Sequence, residues 1–222
     1  MIAHVYERAA SARLVDAVLV ATDDERIAEA VDRFGGTAVM TRADHPSGTD
    51  RLAEVADALT ANIIVNVQGD EPLLDPAAVD AAIAPLLDDP AVVLSTLRTP
   101  LDPLDAANPN VVKVVVDLAG DSLYFTRAHV PYTRPGHPEA PAWRHLGLYV
   151  YRRDTLLHLA RLAPTPLERA EGLEQLRALE HGFRFRTVVT TSASPSVDTP
   201  EDLARVRALV AAGPTVVVNA HA

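Results

Sequence analysis

Over its first hundred residues the chain alternates short apolar runs with amphipathic stretches of helical length. That alternation constrains the fold more than any other feature. Residues 14–21, 37–41, 62–67 and 92–97 read as strands, and residues 2–12, 23–34, 49–60 and 76–87 as the helices around them. Repeated β-then-α units of this length predict an α/β fold of Rossmann-like type, with a mostly parallel sheet and helices on both faces. Gly35-Gly36 follows a predicted helix and precedes a strand, so it reads as a helix stop and not as a dinucleotide-binding loop.

The pattern changes after Pro100. Residues 111–117 and 122–125 are β-rich and join near Gly120, as in an antiparallel hairpin. A Pro-rich loop covers 131–141, and 144–152 reads as a strand. Helices follow at 154–162 and 167–181, divided by Pro164 and Pro166, then a strand at 183–189 and a last helix from Pro200. We read one domain over 1–222, with a β-rich subdomain at 111–152. In 144–151, Leu146, Leu148 and Val150 alternate with His145, Gly147, Tyr149 and Tyr151, so one face of this strand is apolar. The β-branched run Thr215–Asn219 is expected at a sheet edge or left unpaired.

The most informative motif is Val67-Gln68-Gly69-Asp70-Glu71-Pro72. It closes an apolar run that reads as a buried parallel strand. Gly69 permits a sharp turn and Pro72 fixes the exit. Asp70 and Glu71 are then presented at the carboxyl end of a sheet, where ligands of α/β proteins bind. A carboxylate there is a natural Mg2+ ligand, and Mg2+ there points to phosphates; a solvated acidic turn is the plain alternative. Far downstream, Val197-Asp198-Thr199-Pro200-Glu201-Asp202 opens a helix. Capping accounts for Thr199 through Asp202 but not for Asp198, which is free to share a metal with Asp70.

Composition sets limits. The formal net charge is −10, which argues against nucleic-acid binding. Anionic substrates would have to be received by local arginines and divalent cations. There is no cysteine, compatible with a reducing cytoplasm. No run of apolar residues is long enough to span a bilayer.

Taken together, the motifs resemble the 3-deoxy-manno-octulosonate (KDO) cytidylyltransferases, which make CMP-KDO for lipopolysaccharide. The matching segments are Ala21-Thr22-Asp23-Asp24-Glu25-Arg26-Ile27, Met40 through Glu54 with His45-Pro46-Ser47-Gly48-Thr49-Asp50-Arg51, and Val65 through Pro72. They continue with Asn108 through Val114, Arg144-His145-Leu146-Gly147, Pro166-Leu167-Glu168, Leu173 through Arg177 and Val197 through Leu203.

The resemblance implies CMP transfer from CTP to the sugar acid, Mg2+ as cofactor, and a cytoplasmic homodimer whose expected surface includes the strand at 144–151. It places Ser47, Gly48 and Arg51 at the cytosine and ribose, and Gln68, Arg127 and His145 around the sugar acid. Asp70 and Asp198 become the catalytic, metal-holding pair. Glu168, Glu171 and Glu174 read more plainly as a solvated helix face.

Relatives of this kind begin with a strand and a nucleotide-binding loop of the type Pro-Ala-Arg-x-x-Ser-x-Arg-Leu-Pro-Gly-Lys-Pro-Leu. Here Met1-Ile2 aligns after that loop, and Lys113 is the only lysine. Turnover by the chain as given is therefore expected to be low. The alternatives are a non-catalytic dimerising paralogue and a cytidylyltransferase for another sugar acid, such as a sialic acid.

Overall fold

The computed structural model describes residues 1–138, 140–192, 196, 197 and 199–212, the last without its side chain. Asp198 and the run 215–219 lie outside the described residues.

The helices form where the sequence provides caps. Asp24 precedes α2 (Glu25–Arg33) and accepts the Arg26 N–H. Ser47 accepts the Asp50 N–H at the start of α3 (Gly48–Asp57). Asp75 accepts the Ala77 N–H at the start of α4 (Pro76–Asp88), whose first residue is a proline. Helix α1 (Ile2–Ala10) buries Val5 and Ala9, one turn apart on the same face. The stop after α2 is Gly35, at φ +77°.

The strands are β1 (Val20–Thr22), β2 (Ala38–Met40), β3 (Ile63–Asn66), β4 (Leu94–Pro100), β5 (Lys113–Val116), β6 (Ser122–Thr126), β7 (Trp143–Arg152) and β8 (Arg186–Val189). Strands β1 and β2 pair in parallel as a sheet of their own. The other six form one sheet in the order β6-β5-β7-β4-β8, with β3 also on β7. Strands β3, β4 and β8 run the same way, as the βα repeats require, but β3 and β4 are not neighbours. Strand β7 lies between them and is antiparallel to both. The expectation of a parallel partner for residues 62–67 is corrected on this point: the intervening strand comes from eighty residues downstream, beyond the reach of local periodicity.

Strand β7 is ten residues long, and its two edges are used differently. One edge pairs with β4 along its length, with a bulge between Thr96 and Leu97. The other edge pairs with β5 at Trp143 and Arg144 and with β3 from Tyr149 to Arg152. Between these contacts β3 and β5 diverge, and residues 145–148 face the opening.

Both faces of the sheet are covered. Phe125, Tyr151, Phe185 and Ile64 pack with α3, with α5 (Arg153–Leu159), and with Leu176 and Ala178 of α7 (Gln175–Glu180). Leu97, Leu148 and Val150 pack with α1 and α4. The predicted alternation in β7 is therefore real, but each of its two sets of side chains faces a core. Leu148, Val150 and Tyr151 are all buried, so β7 cannot supply the dimer surface expected of it.

The expected strand over 14–21 shortens to Val20–Thr22. Residues 14–19 instead line a cleft of about 710 Å³ between β1 and β3, closed at the sides by α1, α3 and α4. The only β partner of β1 among the described residues is the three-residue β2, which is too short to hold the earlier residues in a ladder.

Phe125 is fully buried and meets both His145 and Phe185 edge-on. Truncating it to alanine is expected to cost about 3–5 kcal/mol, measured as a lowered midpoint in urea denaturation with an unchanged slope.

Candidate active site

The divergence of β3 and β5 from β7 creates a cavity of about 350 Å³. Asn66 and Gln68 enter it from the end of β3, and Asn110, Val111 and Val112 from the approach to β5. Arg144, His145, Gly147, Tyr149 and Tyr151 enter from β7. Gly48 and Thr49 close it from the start of α3, and Glu174, Gln175 and Arg177 from α7 and its cap.

The walls are fixed by buried polar contacts. The amine of Lys113 is fully buried and donates to three backbone carbonyls, Asn108 at 2.8 Å, Val111 at 2.7 Å and Arg127 at 2.7 Å. One side chain thus ties the 108–112 wall to the end of β6. Burial lowers the Lys113 pKa, while the three carbonyls meet its three N–H groups.

Glu168 and Arg177 form a buried pair with N–O distances of 2.6 and 2.9 Å. Glu171 accepts from Thr126 Oγ1 at 2.6 Å and from the Arg127 N–H at 2.9 Å, and Glu174 accepts from Thr49 at 2.6 Å. The solvated-face reading is corrected for the buried Glu168 and the half-buried Glu171, while Glu174 is exposed. Gly172, at φ +63°, ends α6 (Pro166–Glu171) before α7 begins, so they do not share one helix face.

The predicted site residues separate into groups. Gln68, His145 and Gly48 line the cavity. Ser47 caps α3, beside it. Arg51 lines the β1–β3 cleft instead, where it bonds Thr41 and Asp23, with its Nη1 3.1 Å from Asp23 Oδ1. Arg127 does not line the cavity; its Nε donates to the Glu171 carbonyl and its Nη1 to that of Pro109.

Arg144, on β7, lines the cavity; its backbone pairs with Thr99 and Lys113, and its side-chain charge acts on Glu71. Arg144 opens one of the segments that carry the resemblance, Arg144-His145-Leu146-Gly147, but is not among the site residues expected from it. Its adjacency to His145 was the available signal.

Asp70 occupies the turn after β3, half-buried. Its carbonyl accepts the Val197 N–H at 2.9 Å. The residue immediately before Asp198 is therefore tied to Asp70 across more than 120 positions of sequence. Next to it, Glu71 is pushed up to about 7, first by burial and then by the Asp70 charge, with Arg144 opposing. Burial pulls His145 down to about 3, so its ring is neutral at pH 7.

A neutral imidazole, a guanidinium and amide and phenol groups around one cavity can read a polyhydroxylated acid.

Residues 1–188 match the cytidylyltransferase family model. The chain belongs to the cytidylyltransferase family. It is 55% identical over 210 residues to the 3-deoxy-manno-octulosonate cytidylyltransferase of Solibacter usitatus, covering 94% of this chain and 83% of that protein. It is 56% identical over 217 residues to the enzyme of the same name from Geobacter metallireducens, covering 93% and 85%.

Among solved structures it is similar to a CMP:2-keto-3-deoxy-manno-octonic acid synthetase complexed with CTP. There the TM-score is 0.92 and the identity 46%, over 96% of this chain and 88% of that one. A 4-diphosphocytidyl-2C-methyl-D-erythritol synthase from Anaerococcus prevotii, at 12% identity and TM-score 0.62, shares the fold alone. The resemblance read from the motifs and the α/β nucleotidyltransferase fold are both borne out.

The folded pKa of His145 lies below its ordinary value of 6.5. Its contribution to stability is thus complete above pH 6.5 and is lost as pH falls towards 3. Between pH 7 and pH 5 the loss should be about 2 kcal/mol. Guanidinium denaturation of wild type and His145→Gln at both pH values checks this, with the variant losing less.

Proposed function

We infer that this protein transfers CMP from CTP to the anomeric hydroxyl of 3-deoxy-manno-octulosonate and releases diphosphate, a step of lipopolysaccharide biosynthesis. The observation that carries the reading is the polar cavity beside Asp70, in a chain more than half identical to enzymes of that name over most of their length.

The reaction is an in-line displacement at phosphorus, which depends on alignment and on neutralising charge. Arg144 receives the sugar carboxylate, since its guanidinium lies at the cavity and can form two parallel hydrogen bonds. Gln68 and His145 read sugar hydroxyls. Ser47 and Gly48 frame the cytidine side, with Arg51 holding Asp23 and Thr41 behind them. Arg127 acts at one remove, through the carbonyls that it braces.

Asp70 and Asp198 would hold Mg2+, which would neutralise charge on the phosphates and polarise the attacked phosphorus. Two observations support the pairing: the Val197–Asp70 hydrogen bond and the hard oxygen chemistry of the two side chains. No helix among the described residues is long and apolar enough to cross a membrane, and the cytoplasm is the compartment that fits. We also propose a symmetric homodimer. With β7 internal, the exposed Leu118 and Leu123 of the β5–β6 hairpin are the better candidates for its surface.

The test is diphosphate release with CTP, KDO and Mg2+ in the full-length protein. Asp70→Asn should lower turnover at least about a hundredfold with an unchanged circular dichroism spectrum. Arg144→Ala should raise KM for the sugar acid by about 10- to 100-fold and leave KM for CTP nearly unchanged. Rapid turnover by Asp70→Asn would defeat the assignment.

A further inference from the structure

Thr96 and His145 lie on neighbouring strands, β4 and β7, at the bulge where these strands lose register. The Thr96 hydroxyl oxygen is 2.7 Å from the Leu148 carbonyl, 3.2 Å from the Leu146 carbonyl and 2.9 Å from His145 Nε2. Thr96 is completely buried, and His145 is 7% exposed.

A hydroxyl has one hydrogen and two lone pairs, and a carbonyl can only accept. At 2.7 Å the Leu148 contact needs that hydrogen, because otherwise two oxygen lone pairs would face each other at hydrogen-bond distance. The hydroxyl then offers only lone pairs to His145, so Nε2 must donate. A neutral imidazole carries one N–H, which leaves Nδ1 with a lone pair. Nδ1 makes no hydrogen bond among the described residues, and the His145 side chain lines the cavity.

We propose that Thr96 is a positioning residue. It holds His145 as the Nε2–H tautomer, so that the cavity presents Nδ1 as an acceptor for a hydroxyl group of the sugar acid. The proposal rests on the reading of this cavity as the sugar-acid pocket. It also divides the recognition by chemistry. An uncharged acceptor takes an O–H and repels a carboxylate oxygen, which assigns the carboxylate to Arg144 and fixes which way round the substrate lies.

The experiment is a long-range 1H–15N correlation on protein labelled with [15N]histidine. The chain has eight histidines, and the His145 signals are identified by their loss in His145→Gln. Wild type at pH 7 should show His145 as Nε2–H, with a free Nδ1 that moves upfield when 3-deoxy-manno-octulosonate is added without CTP. Thr96→Val should give a mixture of tautomers and raise KM for the sugar acid about tenfold, with little change in KM for CTP. Thr96→Ser should restore both.

An Nδ1–H tautomer in the wild type overturns the proposal whether or not the variants fold. An unchanged tautomer in Thr96→Val overturns it as well. If the tautomer is as stated but CTP moves the Nδ1 signal and the sugar acid does not, the pocket reading fails and the proposed ligand role falls with it.

Discussion

One edge of a β-strand can pair with only one neighbour at a time, and β7 is asked to serve two along a single edge. It meets that demand by giving Trp143 and Arg144 to β5 and Tyr149–Arg152 to β3. Of the residues between, His145 gives its N–H to the Val112 carbonyl just before β5, and residues 146–148 pair with neither strand. The cavity is this unshared stretch of edge, deepened by the divergence of the two neighbours. On the opposite edge the bulge at Thr96 and Leu97 falls beside the same stretch, so the strand is irregular on both sides where its side chains are needed. The site is thus a product of topology: the unshared stretch of β7 opens it, and the paired residues on either side, Arg144, Tyr149 and Tyr151, complete its wall.

Much of this was legible in the chain. The helix starts follow from Asp24, Ser47 and Asp75, whose side chains can satisfy the first free N–H groups. The turn at Asp70 follows from Gly69 and Pro72. The insertion of β7 between β3 and β4 was not legible, because strand order is decided by contacts distant in sequence. The shortening of β1 was hidden too, since apolar character does not reveal whether a neighbouring strand is present to pair with. Arg127 and Arg144 each adjoin apolar strand residues, and only their surroundings separate them. Glu171 and Pro109 provide carbonyls that occupy the first, while the second opens into the cavity.

The same sorting explains how an acidic protein can receive acidic substrates. Several arginines are bound to backbone carbonyls. Arg152 donates to Val92 and Leu86, and Arg153 to Ala56 and Asp57. Arg98 lies over the Trp143 ring, 4.2 Å from its centroid. These cations serve packing, since a carbonyl partner leaves the net charge in place while removing the donor from use. A local positive potential then depends on where an arginine lies at the cavity, and Arg144 stands at the opening.

Lys113 has a consequence outside the site. It is the only lysine in the chain, and all three of its N–H groups are taken by carbonyls in the interior. Acylating reagents act on an accessible, unprotonated amine, and the folded protein does not offer this one. Amine-directed dyes, cross-linkers and surface couplings should therefore attach to the native chain at its α-amino group alone. Uptake of a second label would report that the three-carbonyl clamp has opened.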